Sequence, residues 1–98
     1  MVQGIENLTW LGGTIVASRT HPQLADYDIV TLDLDRLDPI EGKANLLSFP
    51  IGSRVEVTTR RALLGDARVG AHISCRAKRT ANGVMCEPHP EPGNFRVE

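Results

Sequence analysis

Between Tyr27 and Arg36 apolar and polar residues alternate, with Val30, Leu32 and Leu34 on one side and Ile29, Thr31, Asp33 and Asp35 on the other. A repeat of two puts successive side chains on opposite faces, so the pattern predicts a strand with one oily and one wet face. The same rhythm returns twice. Ile51-Gly52-Ser53-Arg54-Val55-Glu56-Val57-Thr58-Thr59-Arg60 is echoed eighteen positions later by Val69-Gly70-Ala71-His72-Ile73-Ser74-Cys75-Arg76-Ala77-Lys78, both fitting apolar-Gly-x-x-apolar-x-apolar-x-x-basic. In each copy a turn glycine launches a strand. The first strand of the pair runs from Arg54 to Arg60 with Val55 and Val57 inward. The second runs from about Ala71 to Lys78 with Ile73, Cys75 and Ala77 inward and His72, Ser74, Arg76 and Lys78 outward.

The segments around these strands complete the pattern. Leu8 to Ser18 is apolar with Gly12-Gly13 in its middle, and paired glycines permit the coil or bulge that lets a long first strand round a barrel corner. Thr20 to Asp26, polar and carrying Pro22, is a loop. Leu37 to Pro50 holds two prolines and Gly42 among charges and reads as a long connection in which Lys43 to Phe49 forms a helical turn. Ala62-Leu63-Leu64 suits a short helix ended by Gly65-Asp66. Asn82-Gly83 predicts a hairpin turn because both residues tolerate positive φ, returning the chain as a fifth strand over Val84 to Glu87. Pro88, Pro90 and Pro92 have no N–H for a ladder, so pairing should stop there. Phe95 to Val97 is either a short closing strand or a frayed tail.

The chain of 98 residues is long enough to bury one modest core without disulfides or metal, so residues 1 to 98 are expected to form a single domain. The predicted fold is all-β: a small, partly open, five-stranded antiparallel barrel with at most one short helix, between the third and fourth strands. An SH3-like barrel is the other small barrel that Gly-x-x-Val-x-Val strands permit. The order of a glycine-kinked first strand, an alternating second, a third, a short helix and a final hairpin resembles an oligonucleotide/oligosaccharide-binding (OB) barrel. Asn7-Leu8-Thr9-Trp10-Leu11-Gly12-Gly13-Thr14 is similar to the opening strand of bacterial single-stranded-DNA-binding proteins and their primosomal relatives, and Val69-Gly70-Ala71-His72-Ile73-Ser74-Cys75 to their glycine-led fourth strand. Asn82-Gly83 falls where that family turns its last hairpin. The resemblance spans roughly residues 7 to 87 and implies binding of single-stranded nucleic acid. The stacking aromatics of that family's second and third strands are replaced here by Asp33, Asp35, Glu56 and Thr58.

Composition narrows the choice of ligand. Eleven basic against twelve acidic residues give a net charge of −1, so any polyanion surface must be a local patch. The aromatic set is Trp10, Tyr27, Phe49 and Phe95. Met1 to Glu6 shows neither the basic cluster nor the apolar run of a signal peptide, and no stretch approaches the roughly 20 apolar residues of a membrane span, so a cytoplasmic protein that does not bind membranes is expected. Cys75 and Cys86 are then expected to be reduced.

Arg54, Arg60, Arg61, Arg76, Lys78 and Arg79 form the basic set that suits phosphates, with Arg54, Arg60, Arg76 and Lys78 outward on the third and fourth strands and Arg61 and Arg79 at the adjoining loop ends. Interspersed charge also keeps barrel surfaces soluble, which is the plainer role for the same residues. Tyr27, between Asp26 and Asp28, is the exposed ring for stacking; Trp10 is a second candidate, although a lone tryptophan in an apolar strand is more often partly core. His72-x-x-Cys75 and Cys86-x-x-His89 offer two thiols and two imidazoles, the donor set of tetrahedral zinc. Residues three apart on a strand face opposite sides, however, so His72 and Cys75 should not converge, although Cys86 to His89 could bend; both cysteines are read as buried thiols on the inner face, with no metal. Asp26, Asp28, Asp33, Asp35 and Asp38 lack the loop spacing of a calcium site and form a solvated face. Neither a nucleophile with its base, nor a phosphate-cradling glycine loop, nor a cofactor fingerprint is present, so no enzyme and no cofactor is expected.

Two functions follow: an accessory domain that binds single-stranded DNA or RNA through a basic strand face, or a non-enzymatic module that docks to a protein through a strand edge or loop. An open Leu8 to Leu11 edge would also offer a route to a homodimer.

Overall fold

The alternating segments form strands where their spacing predicts them. In the computed structural model, which describes residues 7–98, β1 spans Thr9–Thr20, β2 Tyr27–Pro39, β3 Arg54–Arg60, β4 His72–Thr80, β5 Gly83–Cys86 and β6 Phe95–Val97, with the single helical turn α1 at Arg61–Leu64. The Met1 to Glu6 segment read for a signal peptide lies outside the described residues. No helix among the described residues is long and apolar enough to cross a membrane.

The strands join in the order β1-β2-β3-β5-β4, and β4 returns to pair with β1, closing a small all-β barrel. Closure replaces the partly open barrel expected from sequence. Four joins are antiparallel; the fifth, β3 to β5, is parallel and short, with Val57 beside Val84 and Thr58 beside Met85. β5 therefore lies between β3 and β4, which do not adjoin as a shared basic face would require. β6 continues the flank of β4 that β5 begins, setting Phe95 against Cys75 and Val97 against Ile73. β1 is flanked on both sides and Leu8 and Leu11 are buried, so the apolar edge that was to carry a homodimer is not open.

The predicted inward positions line the interior. Val30, Leu32, Leu34, Val55, Val57, Ile73, Cys75 and Ala77 are all buried, joined by Leu11 and Ile15 of β1 and by Val84 and Cys86 of β5. Leu64 of α1 and Leu47 of the long connection also enter the core. Residues 45–50 are irregular, in place of the expected helical turn, because they are tied across β1: Leu8 N–H donates to the Ala44 carbonyl and Thr9 Oγ1 bonds Asn45 Oδ1 at 2.7 Å.

Gly13 decides how closely β1 and β2 pack. A Cβ at this position would lie 2.5 Å from the Asp33 carbonyl oxygen, and the β1–β2 register shifts between Gly12 and Gly13. The bulge and the missing side chain let one strand bend around the corner while holding two neighbours. The hairpin turn falls one residue earlier than Asn82-Gly83 suggested. Thr80 pairs with Gly83, leaving Ala81 and Asn82 as the turn, and the positive φ, 127°, sits on Gly83 alone. Thr80 Oγ1 accepts from the Asn82 N–H, a local bond that a serine or threonine at a turn readily makes.

Gly13→Ala is expected to lower stability by about 1–3 kcal/mol, the usual cost of forcing atoms into a filled site. Gly12→Ala should cost less, because its nearest atoms, Arg36 Cβ and Asp35 Oδ1 at 3.2 Å, belong to side chains that can shift. Urea unfolding of both variants beside the parent tests the ranking.

Candidate nucleic-acid interface

Cross-strand pairing arranges outward side chains in rows around the barrel. In one row Tyr27 of β2 stands opposite Arg60 of β3, and Trp10 of β1 stands opposite Arg76 of β4. Between them, Arg60 Nη1 meets His89 Nδ1 at 3.1 Å and Glu87 holds Arg76 through both carboxylate oxygens, at 2.6 and 2.8 Å. The adjacent row carries Ile29, Thr58, Met85 and Lys78 on β2, β3, β5 and β4. Arg60, Arg76, Lys78, Tyr27 and Trp10 thus fall on one band that runs across β5, a strand that their spacing in the sequence does not place among them.

The rest of the predicted set is elsewhere. Arg54 is at the other end of β3, roughly 20 Å from Arg60 at strand rise, and its Nε donates to Asp33 Oδ1 at 3.0 Å. Arg61 turns to Asp28 at 3.0 Å and reaches the Tyr27 carbonyl. Arg79 is exposed where β4 ends, its backbone clamped on both sides by the Asn7 amide. Outside the predicted set, Arg19 pairs with Glu56 and Arg36 with Asp38, while the Arg36 guanidinium lies 5.1 Å above the Trp10 ring.

These pairings sort the cations. Arg54, Arg61 and Arg76 each have a carboxylate counter-ion, whereas the described residues give Arg60, Lys78 and Arg79 none. Arg76 is the most firmly held: its side chain and that of Glu87 are 24% and 22% exposed, and the bidentate carboxylate raises its pKa, keeping it charged. Arg60 is the opposite case, since its Nε is buried without an acceptor. Its Nη1 meets an imidazole in place of a carboxylate, which leaves Nη donors, though not the buried Nε, to serve an anion.

Two depressions border the band. One, of about 320 Å³, is lined by Lys43, Arg76, Lys78, Glu87 and His89 with Asn7, Leu8 and Pro88. The other, about 390 Å³, lies between the β1–β2 loop and the β4–β5 turn, with Ile29, Thr58, Val84 and Met85 beside Leu24 of the loop. The cleft is mixed, since His21, Gln23, Glu56, Thr80 and Asn82 also line it, and its apolar part has a trace in the sequence: Ile29 is the one aliphatic residue on the wet side of the Tyr27 to Arg36 alternation. Lys43 and His89 carried no such trace, because the long connection and the proline segment bring them to the band.

The zinc donor set does not converge. The Cys75 and Cys86 sulfurs face the core, whereas His72 Nε2 bonds Asp35 Oδ2 at 2.8 Å and His89 meets Arg60, both on the outer surface. Among the described residues no group of three or more His, Cys, Asp or Glu could hold a metal ion. Comparison with protein-family models, curated proteins and solved structures finds no match to this chain.

The two kinds of arginine pair should differ in energy. A double-mutant cycle on Arg76 and Glu87, each to Ala, is expected to give a coupling of about 1 kcal/mol or more, as a bidentate, half-buried pair allows. The same cycle on the exposed pair of Arg54 and Asp33 should give below about 0.5 kcal/mol.

Proposed function

We propose that this OB-like barrel binds single-stranded nucleic acid without catalysis, with Arg60, Lys78 and Arg79 on phosphates, Tyr27 as the stacking ring and the Ile29–Met85 cleft as an apolar floor for bases. The observation that carries the reading is the position of Arg60 and Lys78. They lack carboxylate partners among the described residues, they lie in adjacent rows of the band, and the cleft is lined by Ile29, Thr58 and Met85 of the row that holds Lys78. Phosphates that displace counterions from such a strip, and bases that leave water for the floor beside it, are the two halves of single-strand binding. In OB barrels the strand 2–3 face and the loops after strands 1 and 4 take the ligand, and here the cleft has that location. Trp10, already covered by Arg36 and beyond Arg76, sits at the margin. Arg54 and Arg61, occupied by aspartates, serve the fold's surface.

A second reading draws on a separate observation. Leu24 on the rim of the cleft is 43% exposed, and the Arg19–Glu56 pair neutralises the charge beside it, so an apolar side chain of a protein partner would also fit.

Fluorescence anisotropy with labelled thymidine and uridine oligomers separates the two. The parent protein should bind at least one oligomer, with affinity falling several-fold between low and physiological salt. Arg60→Gln/Lys78→Gln should weaken binding and reduce the salt slope by about 2, one for each phosphate left without its cation, while Arg54→Gln leaves both unchanged. Absence of binding to either oligomer at tens of micromolar protein would end the nucleic-acid reading and leave the protein-docking module.

A further inference from the structure

The interior holds a pair of groups that surface binding does not use. Cys75 and Cys86 are each 1% exposed, on the inner faces of β4 and β5. Cys86 stands opposite Ala77, so Cys75 occupies the next inward position of the neighbouring strand, on the diagonal. Diagonal neighbours of a twisted antiparallel pair are within reach of each other. Here the two sulfurs are 2.8 Å apart, closer than the roughly 3.5–4.0 Å at which non-bonded heavy atoms attract most strongly. Thr59 Oγ1, 3.6 Å from the Cys86 sulfur, packs beside it from β3.

We propose that Cys75 and Cys86 are a disulfide-forming pair, oxidised by a low-molecular-weight disulfide to a covalent staple that joins β5 to β4 inside the barrel. The chemistry is two successive exchanges. A thiolate of one cysteine attacks the small disulfide, forming a mixed disulfide and expelling one small thiol; the second cysteine's thiolate then attacks the protein sulfur and expels the other. The protein loses two protons and two electrons, and the small disulfide gains them as two thiols. Bond formation draws the sulfurs in by less than about 1 Å, to near 2.05 Å, so the staple asks little of the surrounding strands.

The closed barrel sets the rate. The hydrogen bond shared with Cys86, then burial, hold the Cys75 thiol well above its ordinary pKa, which keeps it protonated and slow to attack. Access comes from β5, a four-residue strand that meets β3 at only two residue pairs and leads into the prolines at 88, 90 and 92. Lifting of β5 would bring both sulfurs to solvent together, and its return would hold them against each other. The staple would therefore anchor β5 to β4, so that the strand whose join with β3 is only two residue pairs long could not leave the barrel altogether. Arg76 and Glu87 follow the two cysteines in the chain and clasp each other on the outer surface, so β4 and β5 would be tied on both faces.

The test uses the intact protein. Reduced protein is incubated under native conditions with oxidised glutathione, then denatured and alkylated without reduction. The expected product is a monomer lighter by two hydrogens that takes up no alkyl group, with Cys75 and Cys86 in one cross-linked peptide. Its melting temperature should lie roughly 10 °C above that of the reduced protein, as a short closed loop predicts. Full alkylation of both cysteines after prolonged oxidation, stable glutathione adducts, or intermolecular dimers would each overturn the proposal, and so would an oxidised monomer that melts at or below the reduced one.

Discussion

The barrel depends on β1 being held from both sides. Thr9 to Thr14 pair with β4 through Ala77 to His72 and with β2 through Pro39 to Asp33, and a strand hydrogen-bonded on both flanks must curve for the sheet to close. Gly13 makes that curvature possible, since any side chain there would meet the Asp33 carbonyl. From this close approach follow the closed interior, the short parallel meeting of β3 with β5, and the position of β5 between two strands that would otherwise adjoin. The arrangement of charge on the outer surface is a consequence of the same closure.

The sequence revealed local features and obscured relations between distant segments. Alternation located β2, β3 and β4, identified their inward residues correctly, and marked α1 and its glycine stop, because a period of two and a turn signal are properties of a few adjacent residues. It did not reveal that β5 separates β3 from β4. That depends on whether the last hairpin folds towards β3, which is settled by burial of Val84 and Cys86 against residues some thirty positions away. The arginines show the same limit. Arg54 and Arg60 look equivalent along the strand, yet register puts Asp33 opposite one and Tyr27 opposite the other, and the counter-ion rather than the residue type distinguishes a surface ion pair from an available cation.

Five of the eleven basic residues of this barrel are matched locally by carboxylates among the described residues. Arg19 with Glu56, Arg36 with Asp38, Arg54 with Asp33, Arg61 with Asp28 and Arg76 with Glu87 leave small areas of unmatched potential. Exposed pairs of this type add little to stability, but they suppress the long-range field that draws polyanions from solution. In the proposed reading a partner would therefore be recognised at close range, through the cations that have no carboxylate among the described residues and the cleft beside Lys78. A net charge close to zero is thus compatible with a charged ligand, at the cost of a slower encounter.

The pairing of β1 with β4 also dictates the course of folding. Thr9 must find Ala77, and the Asn7 amide must find the backbone of Arg79, so the first strand has no stable partner on that flank until most of the chain is present. Pairings so distant along the chain must overcome the entropy of closing a long loop before they return any stability, and barrels of this kind fold in about milliseconds to seconds. During synthesis, Leu8, Leu11 and Ile15 leave the ribosome long before β4 can cover them. The flank of Thr9 to Thr14 that β4 covers in the finished barrel thus passes through a stage in which it is open, and an unpaired apolar edge invites aggregation.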